Sequence, residues 1–163
     1  MAHGLSALPT DVTLRPVSST DRGFLLQLYA STRDEELAQV PWSDGEREAF
    51  LRHQFDAQDR YYREHYRDAS FDVVERDGVP VGRLYVARWA DEIRIMELSL
   101  LPGHRGAGIG TELVRAILDE AAHARKRTSV HVEQLNPARR LYERLGFVPV
   151  ADRGVYLLLE AQP

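Results

Sequence analysis

The chain has 163 residues, enough for one domain with a proper core at about 150 residues per domain, and we expect residues 1–163 to form one. Its formal net charge is −4, from 21 basic and 25 acidic residues with neither sign gathered into a run, which speaks against a nucleic-acid partner. The absence of cysteine excludes disulfides, thiolate metal sites and a cysteine nucleophile, and no metal is expected; with no apolar stretch of ~18 residues and no signal-peptide pattern, we expect a cytoplasmic protein without membrane contact.

Residues 1–10 carry no period and read as a loose leader. Val12 to Val17 alternates as a half-buried strand does, with Pro16 marking an edge or an end. Caps at Ser18 to Asp21 introduce a short amphipathic helix on Phe24, Leu25, Leu28 and Tyr29. Arg33 to Pro41 reads as a charged connector, followed by a capping box of Ser43 and Glu46. A second helix then runs to about Tyr66, its face drawn from Ala49, Phe50, Phe55, Ala57, Tyr61 and Tyr62, an aromatic stripe expected to be core.

From Ser70 the period falls to two. FDVVER and PVGRLYVARW are separated by Asp77-Gly78, a hairpin signal, and EIRIMELSLL follows after Ala90-Asp91, giving a three-strand antiparallel meander. The third strand delivers the chain into LSLLPGHRGAGIGT, residues 98–111, where Gly106, Gly108 and Gly110 precede a helix on Leu113, Val114, Ile117, Leu118 and Ala121. Glycines ahead of a helix N-terminus bring unpaired backbone N–H groups close to a ligand, an arrangement suited to phosphate oxygens. Ser129 to Glu133 is a strand. Asn136 and Pro137 open a helix on Ala138, Leu141, Tyr142 and Leu145, closed by Gly146. Two strands, Phe147 to Val150 and Val155 to Glu160, end the chain.

The glycine turn allows three owners. A nucleoside-triphosphate loop needs a lysine beside its terminal Ser or Thr, and Gly110 stands there instead. A dinucleotide loop needs G-x-G-x-x-G and a longer sheet after Glu133, so a dinucleotide-binding module is a remote alternative. A pyrophosphate loop of another kind is the third. Here LLPGHRGAGIGTELV resembles the acyl-coenzyme A loop of the GNAT superfamily of N-acetyltransferases, through Arg105, Gly108 and Gly110. NPARRLYERLGF resembles that family's second coenzyme-binding motif, through its Asn, its Tyr and the closing Gly-Phe.

The resemblance implies an α/β (α+β) GNAT fold, a central mixed, mostly antiparallel sheet of about seven strands flanked by four helices in the order β-α-α-β-β-β-α-β-α-β-β. It implies acetyl-coenzyme A as the acetyl donor and direct transfer to a primary amine of a small molecule or peptide. Backbone at Leu98, Ser99 and Leu100 would take the pantetheine arm, and Arg105, Gly106, Ala107, Gly108, Ile109, Gly110 and Thr111 the pyrophosphate. The strands 92–101 and 129–133 would splay to open the cleft, with Asn136, Ala138 and Arg139 on its far side and Tyr142 at the thioester sulfur as the acid. For the base, Glu97 is the first candidate, directly or through water, against a reading as a carboxylate salt-bridged to Arg83 or Arg94; His131 ranks second, and proximity alone is a third option. The acceptor should lie against Arg33 to Trp42 and Ala151 to Val155, where Asp34, Glu35 and Glu36 could draw a cationic amine or simply solvate the connector. A coenzyme-binding protein that senses or scaffolds without turnover stays open as the other class, as does a monomer or a homodimer paired through VYLLLE.

Overall fold

The computed structural model describes Leu5 and residues 8–163. The expected leader therefore falls mostly outside the described residues, although Leu5 and Leu8 pack on the main core. Seven strands form one mixed sheet: β1 (Val12–Pro16), β2 (Ser70–Arg76), β3 (Val79–Arg88), β4 (Glu92–Leu100), β5 (Arg127–Glu133), β6 (Val148–Arg153) and β7 (Tyr156–Ala161), in spatial order β1-β2-β3-β4-β5-β7-β6. Every neighbouring pair is antiparallel except β4 with β5. That one parallel pair needs a crossover, and the helix after the glycine turn supplies it.

The helices are α1 (Arg22–Ser31), α2 (Asp34–Leu37), α3 (Glu46–His65), α4 (Ile109–Ala124) and α5 (Ala138–Arg144). The expected order of elements stands with one addition, since α2 lies inside the segment read as a connector. Four residues are too few to show a helical period, and three of them are acidic; only Leu37 is buried. Asp34 pairs with Arg47 and Glu36 with Arg33, so two of those three acids brace this short turn.

The two sheet faces are covered differently. On one, Val86, Ile93, Ile95, Val130, Val132 and Leu159 meet Leu113, Val114 and Ile117 of α4 to make the main core. A smaller cluster holds Leu25 and Tyr29 of α1 against Leu37, Leu51 and Phe55. The aromatic stripe of α3 is only partly core: Phe55 is buried, whereas Phe50 is 38% and Tyr61 51% exposed. The buried face of α3 runs instead from Leu51 and Phe55 to the polar pair Gln58 and Tyr62, because the sheet beneath it carries charge.

One irregularity shapes the sheet. Tyr85 of β3 opposes Glu97 while Val86 opposes Ile95, so Met96 is an extra residue in β4, a β-bulge. The parallel pairing with β5 covers only Glu92 to Ile95 against Arg127 to Val130 and stops at the bulge. Beyond it the strands part, leaving the β5-facing edge of Met96 to Leu100 unpaired by β5. The expected splay is therefore present, and a bulge that bends β4 accounts for it.

At the far end of that edge, β3 passes unusually close. A Cβ on Gly82 would lie 2.3 Å from the Ser99 carbonyl oxygen and 2.6 Å from Leu100 Cδ2. Gly82→Ala is expected to lower stability by about 1–3 kcal/mol, the range for overpacking, as read by urea unfolding. Unchanged stability would mean that the end of β4 yields freely.

Candidate active site

The gap between β4 and β5 has two mouths, and strand alternation decides what each displays. Ile93, Ile95 and, after the bulge, Leu98 and Leu100 point to the α4 side. Glu92, Arg94, Glu97 and Ser99 therefore point the other way, as do Ser129, His131 and Glu133 of β5, beside Tyr156 of β7 in register with Glu133.

On the α4 side lies the glycine turn. Residues Pro102 to His104 make a 3₁₀ turn, and Gly106 and Gly108 then adopt left-handed φ of +78° and +85°. Both sites are open, with nothing within 4 Å of an added Cβ. Gly108 is the N-cap of α4, two residues earlier than the sequence pattern suggests. Among the described residues, no backbone carbonyl accepts from the amides of residues 106–111, which leaves a row of donors at the helix dipole's positive end. Arg105 turns its side chain inward instead, its Nε donating to the Leu100 carbonyl at 2.9 Å and Nη2 to Ser31 Oγ at 3.4 Å. That clamp ties the turn to the end of β4. Ile109 is buried in the core, anchoring α4, while Ala107 is exposed and Thr111 half-buried.

The second expected motif sits across the gap. The Asn136 side chain accepts the Ala138 N–H at 2.9 Å, capping α5 through its oxygen, and Arg139 pairs with Glu143. Asn136 and Arg139 also line a cavity of about 460 Å³ with Gln134, Leu135 and Glu143. Tyr142 is 4% exposed and meets the Phe147 ring edge-on at 5.3 Å. Burial first, and the negative charge of Glu97 second, raise its phenol well above the usual tyrosine range.

On the opposite side the expected base candidates fare differently. The Glu97 side chain is 24% exposed and makes three contacts: Gln58 Nε2 donates to Oε1 at 3.3 Å, Tyr62 Oη donates to Oε1 at 3.2 Å, and Arg83 Nη2 lies 3.7 Å from Oε2. Glu97 is thus salt-bridged, to Arg83 and not Arg94, which instead binds Glu92 at 2.9 Å. His131 is half-buried, and burial, then Arg94 and Arg153, push its imidazole below the usual histidine range. It is neutral at pH 7, the form in which an imidazole accepts a proton; of the two, Glu97 is the one whose carboxylate is held by placed donors, from Gln58, Tyr62 and Arg83.

Beyond Glu97, Tyr156 is exposed at the rim; burial and the charges of Glu133 and Glu97 raise its phenol, while Arg33 opposes them. Arg33, in turn, donates to Tyr29 Oη at 3.2 Å. The β6–β7 loop is tied nearby, Gln134 donating to Gly154 O at 2.7 Å and to Asp152 at 3.2 Å. Gln58, Tyr62 and Tyr156 were not among the expected site residues. Their signal in sequence is slight: Gln58 reads as solvent-facing on an amphipathic helix, Tyr62 as part of that helix's core stripe, and Tyr156 as one residue of a terminal strand.

Comparison with known proteins agrees with this arrangement. Residues 28–147 match the acetyltransferase (GNAT) family. The chain is 32% identical over 152 residues to a streptothricin acetyltransferase from Streptomyces lavendulae, covering 89% of this chain and 74% of that one. Among solved structures, the PaiA N-acetyltransferase of Thermoplasma acidophilum in complex with coenzyme A superposes with a TM-score of 0.70 at 18% identity, covering 93% of this chain and 99% of that one. The YncA putative acetyltransferase of Salmonella typhimurium with acetyl-CoA gives 0.59 at 22% identity, covering 94% of each. Among the described residues, no helix is long and apolar enough to cross a membrane. The chain belongs to the GNAT family of acetyltransferases, enzymes that take their acetyl group from acetyl-coenzyme A.

Proposed function

We propose that the protein transfers the acetyl group of acetyl-coenzyme A directly to a primary amine of a small molecule, the amine entering from the Glu97 side of the gap. The observation that carries this reading is where β4 and β5 stop pairing: beyond Ile95 they part, with the unbonded amides of residues 106–111 on the α4 side and the Glu97 carboxylate on the other. The residues fit the coenzyme. Open left-handed glycines leave room for a pyrophosphate against the 106–111 amides, and the unpaired edge of Met96 to Leu100 offers backbone groups to a pantetheine arm. Arg105 serves through its side chain by holding the turn against Leu100, and Asn136, Ala138 and Arg139 border the other lip.

In the reaction the amine nitrogen gives its proton to Glu97, directly or through one water, and attacks the thioester carbon. The N–C bond forms as the C–S bond breaks, and the electron pair leaves on sulfur. Tyr142 then donates a hydrogen bond to the nascent thiolate. Because its phenol is raised well above a thiol's ordinary ~8.5, complete proton transfer from it is uphill, and the role is donation of a hydrogen bond in the transition state. The streptothricin acetyltransferase relative favours streptothricin or a similar small molecule as the acceptor over a peptide N-terminus.

Two measurements test the reading. Acetyl-coenzyme A at ~100 times its Kd is expected to add about 2.7 kcal/mol to the unfolding free energy, seen as a rise in Tm. Thiol release is then followed with streptothricin, spermidine and a short peptide as acceptors. Turnover with streptothricin or another small amine is expected; a protein that binds the coenzyme yet acetylates none of them would instead be a sensor or scaffold.

A further inference from the structure

Beneath the acceptor mouth lies an arginine whose position the fold alone does not require. Arg83 projects from β3 on the same sheet face as Glu97 and is only 3% exposed. Its guanidinium lies 4.9 Å from the Tyr85 ring centroid and 5.9 Å from that of Phe55, and its buried Nε has no hydrogen-bond partner among the described residues. A buried cation costs several kcal/mol to desolvate, and apolar residues of similar volume are often as stable in such places. An imperfectly satisfied arginine at such a cost points to a task outside packing.

Its polar contacts indicate the task. Arg83 Nη2 donates to Gln58 Oε1 at 3.0 Å, and Gln58 Nε2 donates to Glu97 Oε1 at 3.3 Å. The sense of this relay is fixed, because a guanidinium can only donate and a carboxylate can only accept, so the amide between them has one orientation. Tyr62 donates to the same Oε1, its phenol kept protonated by burial and by Glu97. Oε1 thus holds two donors, while Oε2 has only the loose 3.7 Å contact with Arg83. Oε2 is the oxygen left to take a proton from an amine in the gap.

We propose that Arg83 is a positioning residue for acetyl transfer, holding the Glu97 carboxylate aimed into the gap between β4 and β5 by its direct ion pair and through Gln58. The proposal rests on Glu97 being the base. Arg83 itself touches neither substrate: it anchors the carboxylate that receives the amine proton at Oε2 and later releases it to solvent. Gln58 transmits the anchor from above, from α3, to Oε1, while Arg83 itself reaches Oε2 from β3.

The test is a double-mutant cycle on kcat. Arg83→Met, Arg83→Lys and Gln58→Leu are each made in the natural chain and in Glu97→Gln, and thiol release is measured with acetyl-coenzyme A and the panel amine that turns over fastest. Arg83→Met and Gln58→Leu are expected to lower kcat about tenfold or more with KM for acetyl-coenzyme A unchanged, and Arg83→Lys to recover part of the loss. In Glu97→Gln the same substitutions should change kcat less than twofold. Equal losses in both backgrounds would overturn the positioning role and leave the base intact. A Glu97→Gln enzyme with natural kcat would remove the base and this role with it. Should Arg83→Met fail to fold, Gln58→Leu carries the same comparison, since it breaks the relay while both ions of the Arg83–Glu97 pair remain.

Discussion

Tyr142→Phe is expected to lower kcat about 10²- to 10³-fold, the usual effect of removing one preorganised donor to developing charge, while leaving KM for acetyl-coenzyme A nearly unchanged. The substitution deletes one oxygen and keeps the ring, so the edge-on contact with Phe147 and the burial of α5 remain. Thermal stability should therefore match that of the natural protein, which separates loss of chemistry from loss of fold. The pH profile gives a second signature. Burial and Glu97 hold the Tyr142 phenol protonated well above its ordinary range, so the natural enzyme's kcat should show no downward limb from this residue up to about pH 10. A Phe variant with natural kcat on an accepted amine would make Tyr142 a packing residue only.

What was legible in the sequence was whatever is local. The Asp77-Gly78 hairpin, the two-residue period on either side of it and the apolar face from Leu113 to Ala121 each declare their structure within a dozen residues. The glycine turn was legible for the same reason, and Gly106 and Gly108 do take the left-handed conformation that only glycine enters cheaply. The splay between β4 and β5 came from a family resemblance, because its cause is a register shift at Met96, and a bulge is a relation between two strands that one strand's pattern cannot display.

The polar interior was the least legible part. Arg83 alternates correctly with Leu84 for a residue on the outer face of a strand, and Gln58 and Tyr62 sit on a helix whose sequence is mostly charged or polar. Arg83 and Gln58 read as solvent-facing by themselves, and Tyr62 as part of an aromatic core stripe. Only when α3 lies over β3 and β4 do they bond one another and Glu97, which is how a charged face becomes an interior with most of its polar groups paired, Arg83 Nε, Tyr85 Oη and Ser99 Oγ excepted. Phe50 and Tyr61 show the converse. Their apolar character suggested core, but the buried stripe of α3 is rotated toward Leu51 and Phe55, leaving Phe50 to lean on Trp42 and Tyr61 to stack on His65 at 4.1 Å.

The largest effect on stability is expected from Glu92→Ala, at about 3 kcal/mol. Glu92, 5% exposed, stands where β4 and β5 still pair, at the closed end of the gap. It accepts from Ser129 Oγ at 2.6 Å and pairs with Arg127 at 2.7 Å and with Arg94 at 2.9 Å. Breaking a buried ion pair costs roughly 3–5 kcal/mol because the partner charges are stranded; the low end applies here, since Arg127 is partly exposed and can turn to Asp91 and Glu160. Burial alone would raise the Glu92 carboxyl, but the Ser129 hydroxyl, Arg94 and Arg127 outweigh it and hold the group below the ordinary carboxylate range. Asp21 is likewise held below the ordinary range by Arg15, with the Ser18 amide assisting against burial. A carboxyl depressed in the folded state stabilises above its unfolded value and loses that contribution as pH falls, so both act at neutral pH and fade below about pH 4–5. Urea midpoints measured from pH 7 to 3 should therefore fall with acid in the natural protein and fall less in Glu92→Ala. The variant should also show a smaller Tm rise with acetyl-coenzyme A, because the hinge that keeps the two strands together at one end and apart at the other is gone. Equal midpoints for the two proteins at pH 7 would mean that the bulge alone, without this clamp, sets the width of the gap.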